Sequence, residues 1–285
     1  MSIIMKGSEV AAAMKEELLR EVEKLARKGI VPQLGIVRVG ARPDDLAYER
    51  GAIKKMGGVG IRCKVIELSE SIGQADFEQE FSAVDNNPDI HGILLFRPLP
   101  RQLDEQSVRN MINPKKDIDC MSPVNIAKVF SGDESGFAPC TAEAVMEVLA
   151  HYAIDVRGKR VTVVGRSMVV GKPLSMLLLK KNATVTICHT KTINLEETCR
   201  NAEILVAAAG KAAMITADFV SENSVVVDVG INVGSDGKLC GDVDFDAVVA
   251  KVASITPVPG GVGAVTSSVL AEHVVRAANS LNGLS

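Results

Sequence analysis

The chain is poor in aromatic residues and lacks several common sequence signals. Among its 285 residues there is no tryptophan, and only Tyr48 and Tyr152 are tyrosines. No apolar run reaches the roughly 18 residues that a membrane-spanning helix needs, so we expect no membrane partner. The six cysteines form no CxxC or CxxH cluster. We therefore expect a reduced, cytoplasmic protein without a structural zinc site, and we assign no metal ligands.

A strong excess of charge of either sign is also missing. The chain has 32 basic and 35 acidic residues, interspersed, for a net charge of -3. It therefore lacks the basic patch that nucleic-acid binding requires. Its 47% hydrophobic and 24% charged residues are ordinary for a globular protein and exclude a disordered one. The N-terminus predicts a short strand and an amphipathic helix rather than a signal peptide.

Helical and strand patterns alternate along the whole chain. The first half ends its alternation with the strand-like "IHGILLF", after which proline-rich loops begin. From about residue 141 a second series contains apolar runs that predict strands buried on both faces. These runs are 160–165, 183–189, 204–210 and 224–230. The pattern predicts the α/β class, with two domains that each have a mostly parallel sheet covered by helices.

A glycine-rich turn, "VVGRSMVVGKP", follows the run at 160–165. Gly165 and Gly171 let the backbone pass close to a ligand, and the next helix offers free N–H groups to a phosphate. The turn is not a P-loop, because five residues rather than four separate the glycines and Pro173 stands where Ser or Thr would hold magnesium. It is no GxGxxG fingerprint either, and a tight turn without a ligand stays open as an alternative.

The end of the next strand bears on which nucleotide is bound. An acidic residue about 20 positions on usually meets the free ribose of NAD. Here His189, Thr190 and Lys191 stand at that place, and Arg166 lies in the glycine turn. These groups favour NADP, with NAD possible and a solvated basic loop as the alternative. The Pro/Gly stretch at 254–266 predicts a loop that wraps a flat ligand or, alternatively, links domains.

Together these stretches resemble the methylenetetrahydrofolate dehydrogenase/methenyltetrahydrofolate cyclohydrolase family. "GRSMVVGKP", "CHTKT", "DVGIN", "GDVDF" and "TPVPGGVG" follow the order and spacing of its cofactor domain, and "FAPCTAEAV" and "PKKDIDCMSPVN" resemble its joining stretch and Asp-containing loop. The likeness runs over essentially the whole chain. It implies two domains with a cleft between them, in a homodimer. The implied parts are a folate-binding domain at 1–140, a Rossmann-like NAD(P)-binding domain at 141–266, and a C-terminal helix within 267–285 that packs back on the folate domain.

The resemblance also implies site residues. Tyr48 and Asp119 match the family's pterin-binding and catalytic Tyr and Asp, whereas its catalytic Lys and Gln are replaced by Ala52 and Phe96. Two further departures are Cys120, in place of glycine, and Ala264, in place of proline. Other implied substrate positions are Leu95, Pro98, Pro259, Gly260 and Gly261. Implied cofactor positions are Gly165, Arg166, Ser167, Val170, Gly171, His189, Thr190 and Ile231.

These departures affect the family's two reactions differently. Hydride transfer to NADP mainly requires that two rings are held in line. Hydrolysis of the methenyl product must move protons, and losing a positioned Lys typically costs about 10²–10⁴-fold. We therefore expect an NADP-dependent methylenetetrahydrofolate dehydrogenase whose cyclohydrolase step is weak or lost.

Three alternatives stay open. The enzyme is fully bifunctional if ordered water or Lys55, roughly 10 Å along the helix from Tyr48, replaces the missing base. Arg97 is a poor substitute because its pKa is too high for ready proton exchange. The chain is a non-catalytic regulator if it binds nucleotide or folate without turnover. It acts on another small substrate if bulky Phe96 narrows the pterin pocket.

Overall fold

The chain forms two compact units in the computed structural model, which describes residues 2–234 and 237–284. The six-stranded unit comprises Met1–Ala13 and Pro139–Thr266. The three-stranded unit comprises Met14–Ala138 and Ser267–Ser285. Each is built on a parallel sheet flanked by helices, which confirms the predicted α/β class with two domains.

Short strands and helices alternate along the chain. The strands are β1 (Ile3–Ile4), β2 (Gln33–Val39), β3 (Arg62–Leu68), β4 (Gly92–Leu95), β5 (Arg160–Val164), β6 (Thr184–Cys188), β7 (Ile204–Ala207), β8 (Val225–Asp228), β9 (Asn232–Val233), β10 (Leu239–Cys240) and β11 (Ser254–Ile255). The helices are α1 (Gly7–Arg27), α2 (Pro43–Gly57), α3 (Gln74–Asp85), α4 (Glu105–Met111), α5 (Pro123–Ser131), α6 (Cys140–His151), α7 (Gly171–Lys180), α8 (Leu195–Arg200), α9 (Phe245–Val249) and α10 (Val262–Leu281). None of the helices within the described residues is both long and apolar enough to cross a membrane.

The six-stranded sheet has the order β1-β11-β8-β7-β5-β6, and all of its strand pairs are parallel. From β5 the chain adds β6 on one side and returns to add β7 on the other. The strand order therefore reverses at β5. In open parallel sheets, the crevice outside the carboxyl ends of the strands at such a reversal is where nucleotides bind.

One strand prediction in this unit is wrong. The run at 183–189 was expected to be buried on both faces, but within β6 only Cys188 is fully buried. Strand β6 lies at the edge of the sheet, and Thr184 and Thr186 on it are exposed. The run at 183–189 has the composition of an inner strand, but β6 is the outermost strand of the sheet and is therefore partly exposed.

The three-stranded sheet has the order β3-β2-β4, with β2 in the centre and both pairings parallel. Helix α3 packs on it through Phe77, Phe81 and Val84, which recur at helical spacing. Phe77 and Phe81 are fully buried and their rings are 6.0 Å apart. Burial of each such ring stabilises the fold by about 1.5–3 kcal/mol.

The last helix starts earlier than the sequence suggested. The Pro/Gly stretch at 254–266 was predicted as one loop, but β11 occupies its first two residues and α10 begins at Val262. Val262 and Val265 are both buried, three residues apart on one helix face. Their burial extends the helix into the stretch, so the loop is confined to residues 256–261.

Candidate functional site

Helix α2 places Tyr48 beside Phe96. The helix begins with Pro43, and Asp44 and Asp45 in its first turn suit the positive end of the helix dipole. The Tyr48 and Phe96 ring centroids lie 5.6 Å apart with planes tilted by 56°. Tyr48 is 43% exposed, whereas Phe96 is 6% exposed. Phe96 therefore packs into the protein, and Tyr48 keeps surface available to a ligand.

A buried ion pair anchors α2 to the sheet. Arg38 on β2 donates from Nε to Glu49 Oε2 at 2.8 Å and from Nη2 to Glu67 Oε2 at 2.7 Å. The bond to Glu67 raises the pKa of Arg38, and burial opposes this rise. Because Glu49 directly follows Tyr48, the pair fixes the rotation of the helix and with it the place of Tyr48. Sequence reasoning missed this pair, since nothing local links Arg38 to Glu49.

Position 52 lies on the buried face of α2. Ala52 is 1% exposed and shares this face with Glu49 and Met56. Lys55 is half-buried, and its pKa is lowered by burial and then by the charge of Lys15 on α1. Lys55 therefore lies near α1. A lysine at position 52 would place its ammonium group in a buried environment.

Asp117 holds the loop that carries Asp119. Its carboxylate is buried and accepts hydrogen bonds from the backbone N–H of Met121 at 2.8 Å and of Ser122 at 2.9 Å. It also accepts one from Asn125 Nδ2 at 2.9 Å. These bonds fix both ends of the short turn in which Asp119 stands. The first Asp of the "DID" motif therefore has a structural position.

Asp119 lies close to a cation. Its Oδ2 is 4.0 Å from Arg97 Nη2, and Arg97 Nη1 also lies 3.4 Å from Glu105 Oε1. The next residue, Cys120, has a φ of 57° in the left-handed region that favours glycine. That conformation gives a physical reason for the glycine that the resembling family has here. Burial raises the pKa of the Cys120 thiol.

The two remaining positions predicted in this unit differ in exposure. Leu95 ends β4 with its side chain in the core, so only its backbone is available to a ligand. Pro98 is exposed and lines a cavity of about 420 Å³. The other lining residues are Val39, Gly40, Ala41, Arg42, Glu70, Leu99 and Pro100.

In the six-stranded unit the glycine turn leaves β5 at its carboxyl end. Gly165 has a φ of 135°, and a Cβ there would lie 2.1 Å from the carbonyl oxygen of Ala208. Only glycine fits this close approach. The Ser167 hydroxyl accepts a hydrogen bond from Val170 N at 3.1 Å, and α7 then begins at Gly171. The turn thus has the form that a phosphate site needs.

The turn lies next to the basic loop after β6. Gly165 N donates to the carbonyl oxygen of Cys188 at 2.9 Å, so His189 follows directly at the neighbouring strand end. His189 Nδ1 accepts from Lys191 N at 3.1 Å. Exposed side chains here are Arg166, Thr190 and Lys191. The predicted cofactor residues from both loops therefore lie at the carboxyl ends of the strands, which we call the cofactor edge of the six-stranded sheet.

Ile231, after β8, and residues 259–261, after β11, also lie at the cofactor edge. Ile231 is 68% exposed, and a Cβ placed on Gly263 would lie 3.6 Å from its Cδ1. Pro259 and Gly260 are exposed in the loop before α10. They lie in the six-stranded unit, whereas Tyr48 and Asp119 lie in the other. Within residues 2–234 and 237–284, no group of three or more His, Cys, Asp or Glu side chains could hold a metal ion.

Family models match both units. Residues 5–119 match the family described as "Tetrahydrofolate dehydrogenase/cyclohydrolase, catalytic domain". Residues 139–282 match the one described as "Tetrahydrofolate dehydrogenase/cyclohydrolase, NAD(P)-binding domain". The chain belongs to the tetrahydrofolate dehydrogenase/cyclohydrolase family. The resemblance that the sequence motifs suggested is confirmed.

Relatives of this family resemble the chain over its whole length. It is 54% identical over 279 residues to the "Bifunctional protein FolD" of Clostridioides difficile, which covers 98% of this chain and 97% of that protein. The crystal structure of the bifunctional enzyme FolD from Campylobacter jejuni superposes with a TM-score of 0.96 at 38% identity, over 98% of this chain and 99% of that one. The Trypanosoma brucei dehydrogenase-cyclohydrolase, solved with NADP cofactor and inhibitor, gives 0.91 at 34% identity over 98% of both chains.

Proposed function

We propose that this chain oxidises 5,10-methylenetetrahydrofolate to 5,10-methenyltetrahydrofolate with NADP. The observation that carries the proposal is the pair of Tyr48, with an open ring surface, and Asp119, on a loop fixed by Asp117, in a member of this family. Tyr48 would pack against the pterin. Asp119 would accept hydrogen bonds from the amide-like edge of the pterin, and Arg97 lies 4.0 Å from its carboxylate.

Alignment is the main task of the protein in this reaction. As hydride leaves the methylene carbon, the lone pair of a folate nitrogen forms the double bond of the methenyl product. NADP, when bound, supplies the nicotinamide ring that accepts the hydride. Tyr48 and Asp119 hold the folate from two elements, α2 and the 113–122 loop. Such positioning supplies up to about 7–11 kcal/mol of the barrier reduction.

The six-stranded unit fits the cofactor. The turn at Gly165 admits no side chain, as close backbone approach to a phosphate requires. Arg166, His189 and Lys191 would bind a ribose 2′-phosphate. No acidic residue between Cys188, at the end of β6, and Glu196 would repel it, which supports NADP over NAD. We accordingly propose that residues 1–140, with a helix from 267–285, bind folate and that 141–266 bind NADP, with the difference that Met1–Ala13 belong to the six-stranded unit. We further propose a homodimer, which sedimentation equilibrium would test.

The cyclohydrolase step has two candidate outcomes. The relatives are named bifunctional, which supports an enzyme that also hydrolyses the methenyl product, with Lys55 or ordered water replacing the missing base. The apolar and buried Ala52 and Phe96 instead favour a weak or lost step. The bifunctional reading has the broader support, since it rests on likeness over the whole chain. Family membership also favours an enzyme over a non-catalytic regulator.

Time-resolved absorbance with methylenetetrahydrofolate and NADP tests both parts. A rise of NADPH with rapid clearance of methenyl-folate supports the bifunctional enzyme, whereas clearance at the uncatalysed rate indicates a dehydrogenase alone. If neither NADP nor, in a second assay, NAD is reduced, the proposal is refuted. Tyr48→Leu should raise the folate KM about tenfold, because aromatic stacking on a heterocycle is worth about 1–3 kcal/mol. Tyr152→Leu, at the other tyrosine, is the matched control and should leave this KM unchanged.

A further inference from the structure

Two carboxylates at the cofactor edge of the six-stranded unit are buried and have no part in the proposed chemistry. Asp228, at the end of β8, is 3% exposed, and Asp242 is 0% exposed. Burying a carboxylate is costly unless hydrogen bonds compensate its charge. The bonds that these two side chains accept therefore indicate what they do.

The Asp242 carboxylate accepts hydrogen bonds from three backbone N–H groups of the loop after β7. Its Oδ2 accepts from Ala209 N at 2.6 Å and from Gly210 N at 2.9 Å. Its Oδ1 accepts from Lys211 N at 2.9 Å and from Asn232 Nδ2, at the start of β9, also at 2.9 Å. One carboxylate therefore connects the loop after β7 to β9 through four accepted hydrogen bonds.

Asp228 holds Asp242 in place. Its Oδ1 accepts from Gly230 N at 2.9 Å and from the backbone N–H of Asp242 at 3.0 Å, and its Oδ2 accepts from Val243 N at 2.9 Å. A Cβ on Gly241 would lie 1.9 Å from Asp228 Oδ2, so this residue must be glycine. We call this pair of side chains the Asp228–Asp242 cluster.

The cluster is continuous with the other loops at this edge. The loop after β7 contacts the glycine turn, where Ala208 O lies against Gly165. Asp228 N donates to Thr256 Oγ1 at 2.7 Å, at the start of the loop after β11. In dinucleotide-binding sheets the adenosine end lies at the strand equivalent to β6, so the nicotinamide end lies toward β7 and β8.

We propose that Asp242, held by Asp228, is a positioning residue that presets the nicotinamide side of the cofactor site. This inference rests on the proposed function, because it assigns the loops to the same cofactor. The cluster touches no reacting atom. Five of its seven accepted hydrogen bonds hold residues 209–211, Gly230 and Asn232 in the bound arrangement before the nucleotide arrives, and the other two hold the backbone of Asp242 and Val243. Preset loops avoid an ordering cost on binding.

The experiment compares Asp242→Asn with Asp244→Asn. An amide at 242 turns an NH2 group toward two N–H donors, whereas Asp244 belongs to the same motif but caps α9 by accepting from Ala247 N. NADP and adenosine 2′,5′-bisphosphate, which lacks the nicotinamide half, are titrated by calorimetry. Asp242→Asn should weaken the binding of NADP by about 5–150-fold and leave the binding of the adenosine fragment unchanged, since an unsatisfied buried donor costs about 5–150-fold in an equilibrium constant. Asp244→Asn should change neither affinity.

Hydrogen exchange of the unliganded protein provides a readout besides binding. Amides 209–211 should lose protection in Asp242→Asn and keep it in Asp244→Asn. Asn232→Ala removes one bond at a half-buried position and keeps the test usable if Asp242→Asn does not fold. This variant should weaken the binding of NADP about threefold.

Three results would overturn the inference. Equal weakening of NADP and the adenosine fragment would show a general loss of structure. Wild-type affinity together with wild-type exchange in Asp242→Asn would show that the cluster positions nothing, and the proposed function would stand. Wild-type protein that binds neither NADP nor NAD would remove the proposed cofactor as well, which separates that failure from the others.

Discussion

Replacing Ala52 by Lys together with Phe96 by Gln restores the pair that the family carries, and it tests whether these positions limit the cyclohydrolase step. Ala52 is 1% exposed and Phe96 6% exposed, so both replacements put polar groups into buried sites. In each single variant, the new polar side chain lacks the partner that the other replacement would supply. The two single variants and the double variant therefore form a cycle.

The structure gives the expected losses of unfolding free energy. Ala52→Lys buries an unpaired ammonium group and should cost about 3–5 kcal/mol, as a broken buried ion pair does. Phe96→Gln removes a buried ring, at about 3 kcal/mol, and its contact with Tyr48, at about 1 kcal/mol. If positions 52 and 96 face each other, the Gln oxygen in the double variant can accept a hydrogen bond from the Lys ammonium. The combined loss should then be smaller than the sum by about 1–3 kcal/mol.

Urea unfolding measures the cycle, and clearance of methenyl-folate measures the activity. If the missing Lys limits the step, the double variant should hydrolyse methenyl-folate at least about tenfold faster than the wild type. Ile53→Lys adds a lysine to the exposed side of the same helix and should change neither quantity. Dehydrogenase turnover of each variant shows that the folate site is still assembled.

Two outcomes would refute the reasoning. If the stability losses of the single variants add within about 0.5 kcal/mol, positions 52 and 96 do not face each other. If a folded double variant gains no cyclohydrolase activity, the missing Lys does not limit that step. The second outcome is the expected one if Lys55 or water already supplies the proton transfer.

Three other perturbations follow from the structure. Glu49→Ala removes one of the two carboxylates that bind the buried Arg38 guanidinium, and should lower the unfolding free energy by about 1.5–3 kcal/mol in urea melts. It should raise the folate KM and leave NADP affinity, measured by calorimetry, unchanged. Arg166→Ala with Lys191→Ala should reduce the preference for NADP over NAD at least about tenfold in kcat/KM, since hydrogen bonds between charged groups are worth about 1.5–3 kcal/mol. Burial raises the pKa of Asp228 from 3.8 to about 6, so its contribution to stability is fully present below pH 3.8 and is lost as the pH rises through 6. The unfolding free energy of the wild type relative to Asp228→Asn should therefore fall by about 2–3 kcal/mol between pH 4 and 7 in urea melts, and a constant difference would contradict the raised pKa.

Elements with a clear local period could be predicted from the sequence. Helix α3 repeats its apolar residues at helical spacing, and β5 is a continuous apolar run between turn signals. Strand β6 has a similar run, yet its edge position leaves it exposed. Exposure of an edge depends on strand order, which one local run does not encode. The early start of α10 likewise goes with the burial of Val262 and Val265, which the local Pro/Gly composition does not encode.

Candidate ligand-binding residues could be found through motifs, but the groups that hold them could not. Tyr48 and Asp119 stand in short recognisable stretches. Arg38 meets Glu49 from another element, and Asp242 meets Ala209 across 33 residues. Such pairs arise from strand order and helix packing, so they become visible only once the chain is folded.

The same arrangement holds loops in both units, and it bears on which chemistry the chain favours. Asp117 accepts two backbone N–H groups beside Asp119, and the Asp228–Asp242 cluster does the same for the loops after β7 and β8. A buried Asp side chain that accepts hydrogen bonds from backbone N–H groups holds a loop in one conformation. Fixed loops suit hydride transfer, which needs alignment, and none of these bonds involves position 52 or 96. Dehydrogenase activity should therefore tolerate changes at those two positions, while the hydrolytic step, which needs a proton carrier, depends on them or on a replacement such as Lys55.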